Sequence, residues 1–189
     1  MSTMTLPPLI LKDGARLVLP SSANRTGSSA TWLNLIIGIQ PATPNGRYPS
    51  LNIDASSGAS LDVGNNALFA ANNPDWYVGA LVATGRNNGF WDGAGIDSSA
   101  ITSSLMAVGY ATRGGAAVVA YTHVGDATVD GVINVGDLGA LATYYGTSIN
   151  ALWDQADFDF NGNVNTNDLG ALSTYYNAWS EPWSEPNPV

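Results

Sequence analysis

The residues most able to do chemistry in this chain are aspartates and asparagines set at alternate positions in two stretches. In one stretch Asp157, Asp159 and Asn161 stand at positions 1, 3 and 5 of a loop. Gly162 follows at position 6, Asn163 at 7, Asn165 at 9 and Asp168 at 12. The other stretch places Asp126, Thr128, Asp130, Gly131, Val132, Asn134 and Asp137 at the same positions. This D-x-[DN]-x-[DN]-G spacing, closed by an acid at position 12, makes alternate oxygens converge on one point. The glycine supplies the sharp turn. A hard cation taking about 6–8 oxygens at roughly 2.3–2.6 Å fits such a loop, whereas magnesium prefers a rigid octahedron and keeps its waters. Two Ca2+ ions are therefore expected. Their ligands are the side chains of Asp126, Thr128, Asp130, Asn134, Asp137, Asp157, Asp159, Asn161, Asn165 and Asp168, with the carbonyls of Val132 and Asn163 at position 7. Thr128 offers a neutral hydroxyl where the second loop has a carboxylate, so the first site is expected to bind more weakly or through a water.

The two stretches belong to an internal repeat offset by 31 residues, with half of the aligned positions identical. Each loop runs into a predicted helix, with Asp137 and Asp168 near its start, where a carboxylate suits the helix dipole. Leu138, Leu141 and Tyr145 share one helical face, as do Leu169, Leu172 and Tyr176, and are expected to form a small core. Gly139 and Gly170 are expected to let the two helices approach closely.

Residues 1–70 read as strands. Leu9–Leu11, a Lys12-Asp13-Gly14 turn and Arg16–Leu19 suggest a hairpin. An apolar run from Trp32 to Ile39, the period-two segments Leu51-Asn52-Ile53 and Leu61-Asp62-Val63, and Ala67-Leu68-Phe69 continue the pattern. Trp76, Val78, Leu81 and Val82 predict one helix, ended between Gly85 and Gly89, and Ser98-Ser99 predicts a cap for a second, reaching about Met106. Segments 109–111 and 117–121 read as closing strands paired with the first sheet. The expected fold is a mainly β body, sandwich or solenoid-like, over 1–123. A small α module of two loop–helix units follows over 124–177, and a Pro/Trp-rich extended tail over 178–189.

Composition narrows the surroundings. Thirteen of the 15 acids are Asp, against 6 Lys and Arg, for a net charge of −9. A basic nucleic-acid-binding face is excluded on these grounds. With no Cys and one His, thiolate and multi-histidine metal centres are excluded too. No apolar run approaches the roughly 20 residues of a membrane span. Metal ions can take the stapling role that disulfides play in secreted proteins.

Catalytic constellations are scarce. His123 is the sole imidazole, and no G-x-S-x-G elbow surrounds any serine. Asp54, Asp62, Asp75, Asp92 and Asp97 could be paired as glycosidase carboxylates, but isolated turn aspartates are the simpler reading. Six Trp could form a sugar-stacking platform, though core or interface anchoring is commoner. Asn24-Arg25-Thr26 is a glycosylation sequon. The chain is therefore expected not to be an enzyme.

GDATVDGVINVGDLGALATYYG and ADFDFNGNVNTNDLGALSTYYN resemble the paired loop–helix repeats of type I dockerin domains over about residues 124–177. That resemblance implies calcium-dependent folding about a pseudo-two-fold axis and docking onto a cohesin partner. Loop positions 10 and 11, often Ser-Thr in cellulosomal members, are Val135-Gly136 and Thr166-Asn167 here. The basic pair of the following helix is replaced by Ala142-Thr143 and Ser173-Thr174. The stretch from LDVGNNALFA to VVAYTHVGDA is similar to segments preceding dockerin-like repeats in large bacterial surface-sorted and autotransporter-like proteins, which implies an extracellular, non-catalytic setting. The leading expectation is an extracellular, calcium-stabilised structural subunit that self-assembles into a homo-oligomer, fibre or surface layer. A docking module for a cohesin-like partner and a carbohydrate-binding β-domain are the alternatives.

Overall fold

The computed structural model describes residues 2–6, 9–19, 33–37 and 51–178. The sequon at Asn24, Trp32 and the tail from Trp179 onward lie outside the described residues.

Ten strands and three α-helices are described: β1 (Ser2–Leu6), β2 (Leu9–Leu11), β3 (Arg16–Val18), β4 (Leu33–Ile37), β5 (Leu51–Ile53), β6 (Ser60–Asp62), β7 (Ala67–Ala71), α1 (Asp75–Arg86), β8 (Gly95–Asp97), β9 (Met106–Arg113), β10 (Ala116–His123), α2 (Val135–Tyr144) and α3 (Thr166–Thr174). This is a mixed α/β fold, and the sandwich reading does not describe it. Strands β1, β2 and β3 go to three different sheets, and β4, β5 and β6 return to the same three in the same order. Each new strand pairs in parallel with its predecessor one circuit earlier. The third circuit places β7 beside β4 and β8 beside β6.

The expected hairpin of Leu9–Leu11 and Arg16–Leu19 is therefore a corner. The two strands leave the Lys12–Ala15 turn into separate sheets and find parallel partners more than 40 residues away. Turn residues mark the change of direction but not the pairing. In-register pairing aligns Leu17 with Leu61 and Leu61 with Ile96, and it aligns Leu11 with Ile53. Leu61 and Ile96 are fully buried.

Where a third strand would follow β5, the chain instead forms α1. The strand edge that this leaves is satisfied by side chains. The Leu51 N–H donates to Asn73 Oδ1 (3.0 Å), and Asn73 Nδ2 donates to the Leu51 carbonyl (2.8 Å). The Ile53 N–H donates to the Tyr77 hydroxyl (3.2 Å). Buried backbone groups require such partners. Helix α1 buries Val78, Leu81 and Val82, as its periodicity predicts, and ends at Asn87 in the left-handed conformation. Its approach to β8 is close enough that a Cβ on Gly85 would lie 1.8 Å from the Ile96 carbonyl oxygen.

Strands β9 and β10 form an antiparallel hairpin on β7 and close the first sheet, as expected. The helix predicted from Ser98 is not formed. Ser98 Oγ donates to the Gly64 carbonyl (2.6 Å) and the Ser99 N–H donates to Asp62 Oδ1 (3.0 Å). These long-range bonds hold 98–105 as an irregular turn. One apolar core links the body to the C-terminal repeat. Its joint is Trp153, fully buried, whose Nε1 donates to the Asp126 carbonyl (2.6 Å) and whose backbone N–H donates to the Tyr110 hydroxyl (3.2 Å). A Cβ on Gly109 would lie 2.7 Å from that indole nitrogen.

Candidate metal centre

Both Asp-rich loops wrap in the same way. Position 4 is left-handed in each (Val129, φ 52°; Phe160, φ 61°), as is the glycine at position 6 (φ 87° and 80°). Such a φ is rare for β-branched or bulky residues and needs the surrounding bonds to hold it. Those bonds repeat between the loops. At position 1, Asp126 Oδ2 accepts from the Gly131 N–H (3.0 Å) and Asp157 Oδ2 from Gly162 (2.9 Å). At position 5, Asp130 accepts from the Val132 N–H (2.9 Å) and Asn161 from Asn163 (2.8 Å).

The helix starts are also duplicated. Asn134 Oδ1 caps α2 through the Gly136 N–H (2.7 Å), and Asn165 caps α3 through Asn167 (2.8 Å). The position-12 carboxylates, Asp137 and Asp168, reach back to the N–H groups of Asn134 (2.8 Å) and Asn165 (2.9 Å). These are capping boxes with Asp in place of Glu.

The two units strap each other. The Val164 N–H, at position 8 of the second loop, donates to the Thr147 carbonyl (2.9 Å), and the Gly146 N–H donates to the Val164 carbonyl (2.9 Å). Its counterpart Ile133 makes the same pair of bonds with Ala178 and Asn177. Each loop is thus tied to the segment leaving the other loop's helix, and every partner is displaced by the 31-residue repeat.

Asp157, Asp159 and Asp168 each present an oxygen within 4.8 Å of the others, and among the described residues this is the group of three that could hold a metal ion. The first loop does not gather three carboxylates to that degree. At its position 3 the Thr128 hydroxyl lies 3.1 Å from Asp137 Oδ1 and 3.4 Å from Asp126 Oδ1, bridging two acids as a donor. A three-carboxylate cluster of this kind therefore belongs to the second loop and not to the first.

Burial loads both loops with charge stress. Asp126, Asp137, Asp157 and Asp168 are all buried. Loss of solvent pushes Asp126 up to about 6 despite the Thr122 hydroxyl and Gly131 N–H that favour its charged form. Asp157 is likewise raised, by burial first and by neighbouring Asp159 next. Burial also raises Asp137 and Asp168. Carboxylates in this state gain from a cation in their midst.

The helical faces differ from the expected small core. Leu141 and Leu172 are buried, but Leu138 and Leu169 are each 38 % exposed, and Tyr145 and Tyr176, which lie past the ends of α2 and α3, are exposed as well. A Cβ added at Gly139 or Gly170 would meet nothing within 4 Å. These glycines face open space, so they do not mediate a close helix approach.

The candidate catalytic residues have structural surroundings. His123 stacks on Tyr175 (centroids 6.4 Å apart, 27° between planes), and its Nδ1 has no hydrogen-bond partner. Asp62 and Asp97 both pair with Arg16, at 3.0 and 2.7 Å. Asp54 caps the 55–57 turn, Asp75 accepts from the Trp76 N–H, and Asp92 accepts from Asn87 Nδ2 (2.8 Å). Trp91 and Trp153 are buried, while Trp76 is 64 % exposed. The Arg16–Asp62–Asp97 cluster was not readable from spacing, because it depends on the parallel register that stacks β3, β6 and β8.

Comparison with protein-family models, with curated proteins and with solved structures returns no match.

Proposed function

We propose that this chain is an extracellular, non-enzymatic structural protein whose two Asp-rich loops bind Ca2+ and thereby fasten the C-terminal repeat onto the strand circuits. One observation carries the reading: two loops of identical wrapping, 31 residues apart, each enclosing buried carboxylates whose protonation is favoured by burial. In the second loop Asp157, Asp159, Asn161, the Asn163 carbonyl, Asn165 and Asp168 would surround the ion. In the first, Asp126, Thr128, Asp130, the Val132 carbonyl, Asn134 and Asp137 would do so. The resemblance to dockerin repeats supports the same ion and the same two-fold pairing. The successive circuits through three sheets support a solenoid reading of the N-terminal part.

Self-assembly is the role we assign to this scaffold. Among the described residues, β1, β2 and β3 are the terminal strands of their three sheets at the same end of the circuits. Strand edges presented together are a template for pairing with another chain. No helix among the described residues is long and apolar enough to cross a membrane.

Calorimetric unfolding with calcium and with EDTA tests the metal reading. A site at a hundredfold excess of ion over its Kd adds about 2.7 kcal/mol. Chelation should therefore lower the melting temperature strongly. Asp157→Ala or Asp168→Ala should remove more of the calcium-dependent gain than Thr128→Ala, and equal melting curves with and without calcium would end the reading. Sedimentation at high protein concentration in calcium tests assembly, which a strict monomer would refute.

The exposed apolar side chains of the two loop–helix units favour docking as a second reading. Val135, Leu138 and Tyr145 on the first unit, with Leu169 and Tyr176 on the second, leave apolar surface open to solvent. Calcium-dependent capture by a cohesin panel would support this reading over the first.

A further inference from the structure

An open cleft of about 500 Å3 lies between the end of α1, the irregular turn at 98–105 and the second Asp-rich loop. Phe90 and Trp91 both line it. Their exposures are opposite: Phe90 is 75 % exposed, whereas Trp91 is 6 % exposed and packs edge-on against Phe160 at 6.1 Å. Trp91 has φ 56°, a conformation that a bulky residue holds only when its surroundings impose it. The Trp91 N–H also donates to the Arg86 carbonyl (3.0 Å). This turn fixes the backbone that carries the exposed Phe90.

The remaining lining is rich in hydrogen-bonding groups. Thr102, Ser103 and Ser104 contribute three consecutive exposed hydroxyls. Arg86, whose guanidinium lies 5.4 Å from the Phe160 ring centroid, adds a donor, and Asp159 adds a carboxylate. An exposed flat ring beside hydroxyls, a donor and an acceptor matches a ligand with one C–H face and several hydroxyls. Pockets commonly combine an apolar surface with a few such orienting groups. The net charge of −9 and the carboxylate in the wall disfavour anionic ligands.

We propose that this cleft binds a neutral saccharide, with the sugar's C–H face on Phe90 and its hydroxyls paired with Thr102, Ser103, Ser104, Arg86 and Asp159. This proposal does not depend on self-assembly. It meets the metal reading only at Asp159, so binding is measured with calcium present.

Isothermal titration of the full chain with cellohexaose, xylohexaose and mannohexaose tests it, with hexagalacturonate as the anionic control. At least one neutral probe should bind, and Phe90→Ala should weaken it about tenfold. Thermal melting of that variant should match the parent because the side chain is exposed. Should its melting shift, the double change Ser103→Ala and Ser104→Ala carries the same test, with weakened binding expected. Failure of every neutral probe at millimolar concentration would overturn the proposal. So would affinity unchanged in a folded variant, or hexagalacturonate binding as tightly as the neutral probes. These outcomes are separate from the calcium and EDTA melting curves, which test the metal reading alone.

Discussion

Thr128 is the residue at which the two loops differ most in chemistry. Its hydroxyl bridges Asp126 and Asp137, while Asp159 at the same position brings a third carboxylate to the second loop. Thr128→Asp should therefore tighten calcium binding at the first loop and lower stability once calcium is removed. Titration with calcium and melting in EDTA would show the two opposite effects. Protons act on the same groups. Burial raises Asp126, Asp137, Asp157 and Asp168 above their unfolded values, so the calcium-free folded state binds the extra protons. Its stability should rise as pH falls from about 8 towards 5, through the window between folded and unfolded values. Asp97 and Asp154, which burial pushes up to about 6, add in the same direction, whereas Asp62, held low, titrates only below this window. With calcium bound, the ions favour the charged carboxylates, so the slope should reverse as protons displace metal. Melting temperatures across that pH range, with and without chelator, would check the crossing.

At the scale of elements, glycines separate into those that permit packing and those that only loosen a helix. Gly139 and Gly170 sit mid-helix with open space at the missing Cβ. Replacing either by Ala should stabilise the protein by about 0.5–1 kcal/mol, since the helix gains propensity and nothing clashes. Gly109→Ala should instead cost about 1–3 kcal/mol by driving a methyl into Trp153. Chemical denaturation would rank the three. The sequence made α1 to α3 and the two closing strands legible, because each is written in local periodicity; the pairing of β9 with β10 as a hairpin came only from the structure. The loops were legible for the same reason: their chemistry lies within twelve consecutive positions. The corner at Lys12–Ala15 was misread because parallel pairing is decided by partners far along the chain. The turn at 98–105 was misread because Asp62 and Gly64 capture Ser98 and Ser99 before a helix can use them. Leu138 and Leu169 satisfied a helical stripe, but the stripe is wider than the surface available to bury it.

Across the whole molecule, Trp153 joins the strand circuits to the repeat by burying one indole beneath β9 and bonding it to the first loop. The repeat itself is laced crosswise. Ile133 is held by Asn177 and Ala178, which follow α3, whereas Val164 is held by Gly146 and Thr147, which follow α2. Ending the chain after Tyr176 would therefore injure the distant loop and spare the nearer one. Such a truncated protein should lose affinity at the Asp126–Asp137 site while the Asp157–Asp168 site keeps most of its own, and a two-site calcium titration would distinguish them. Sequence order and mechanical order are inverted here, so the last residues of the repeat serve as the clasp of its first half.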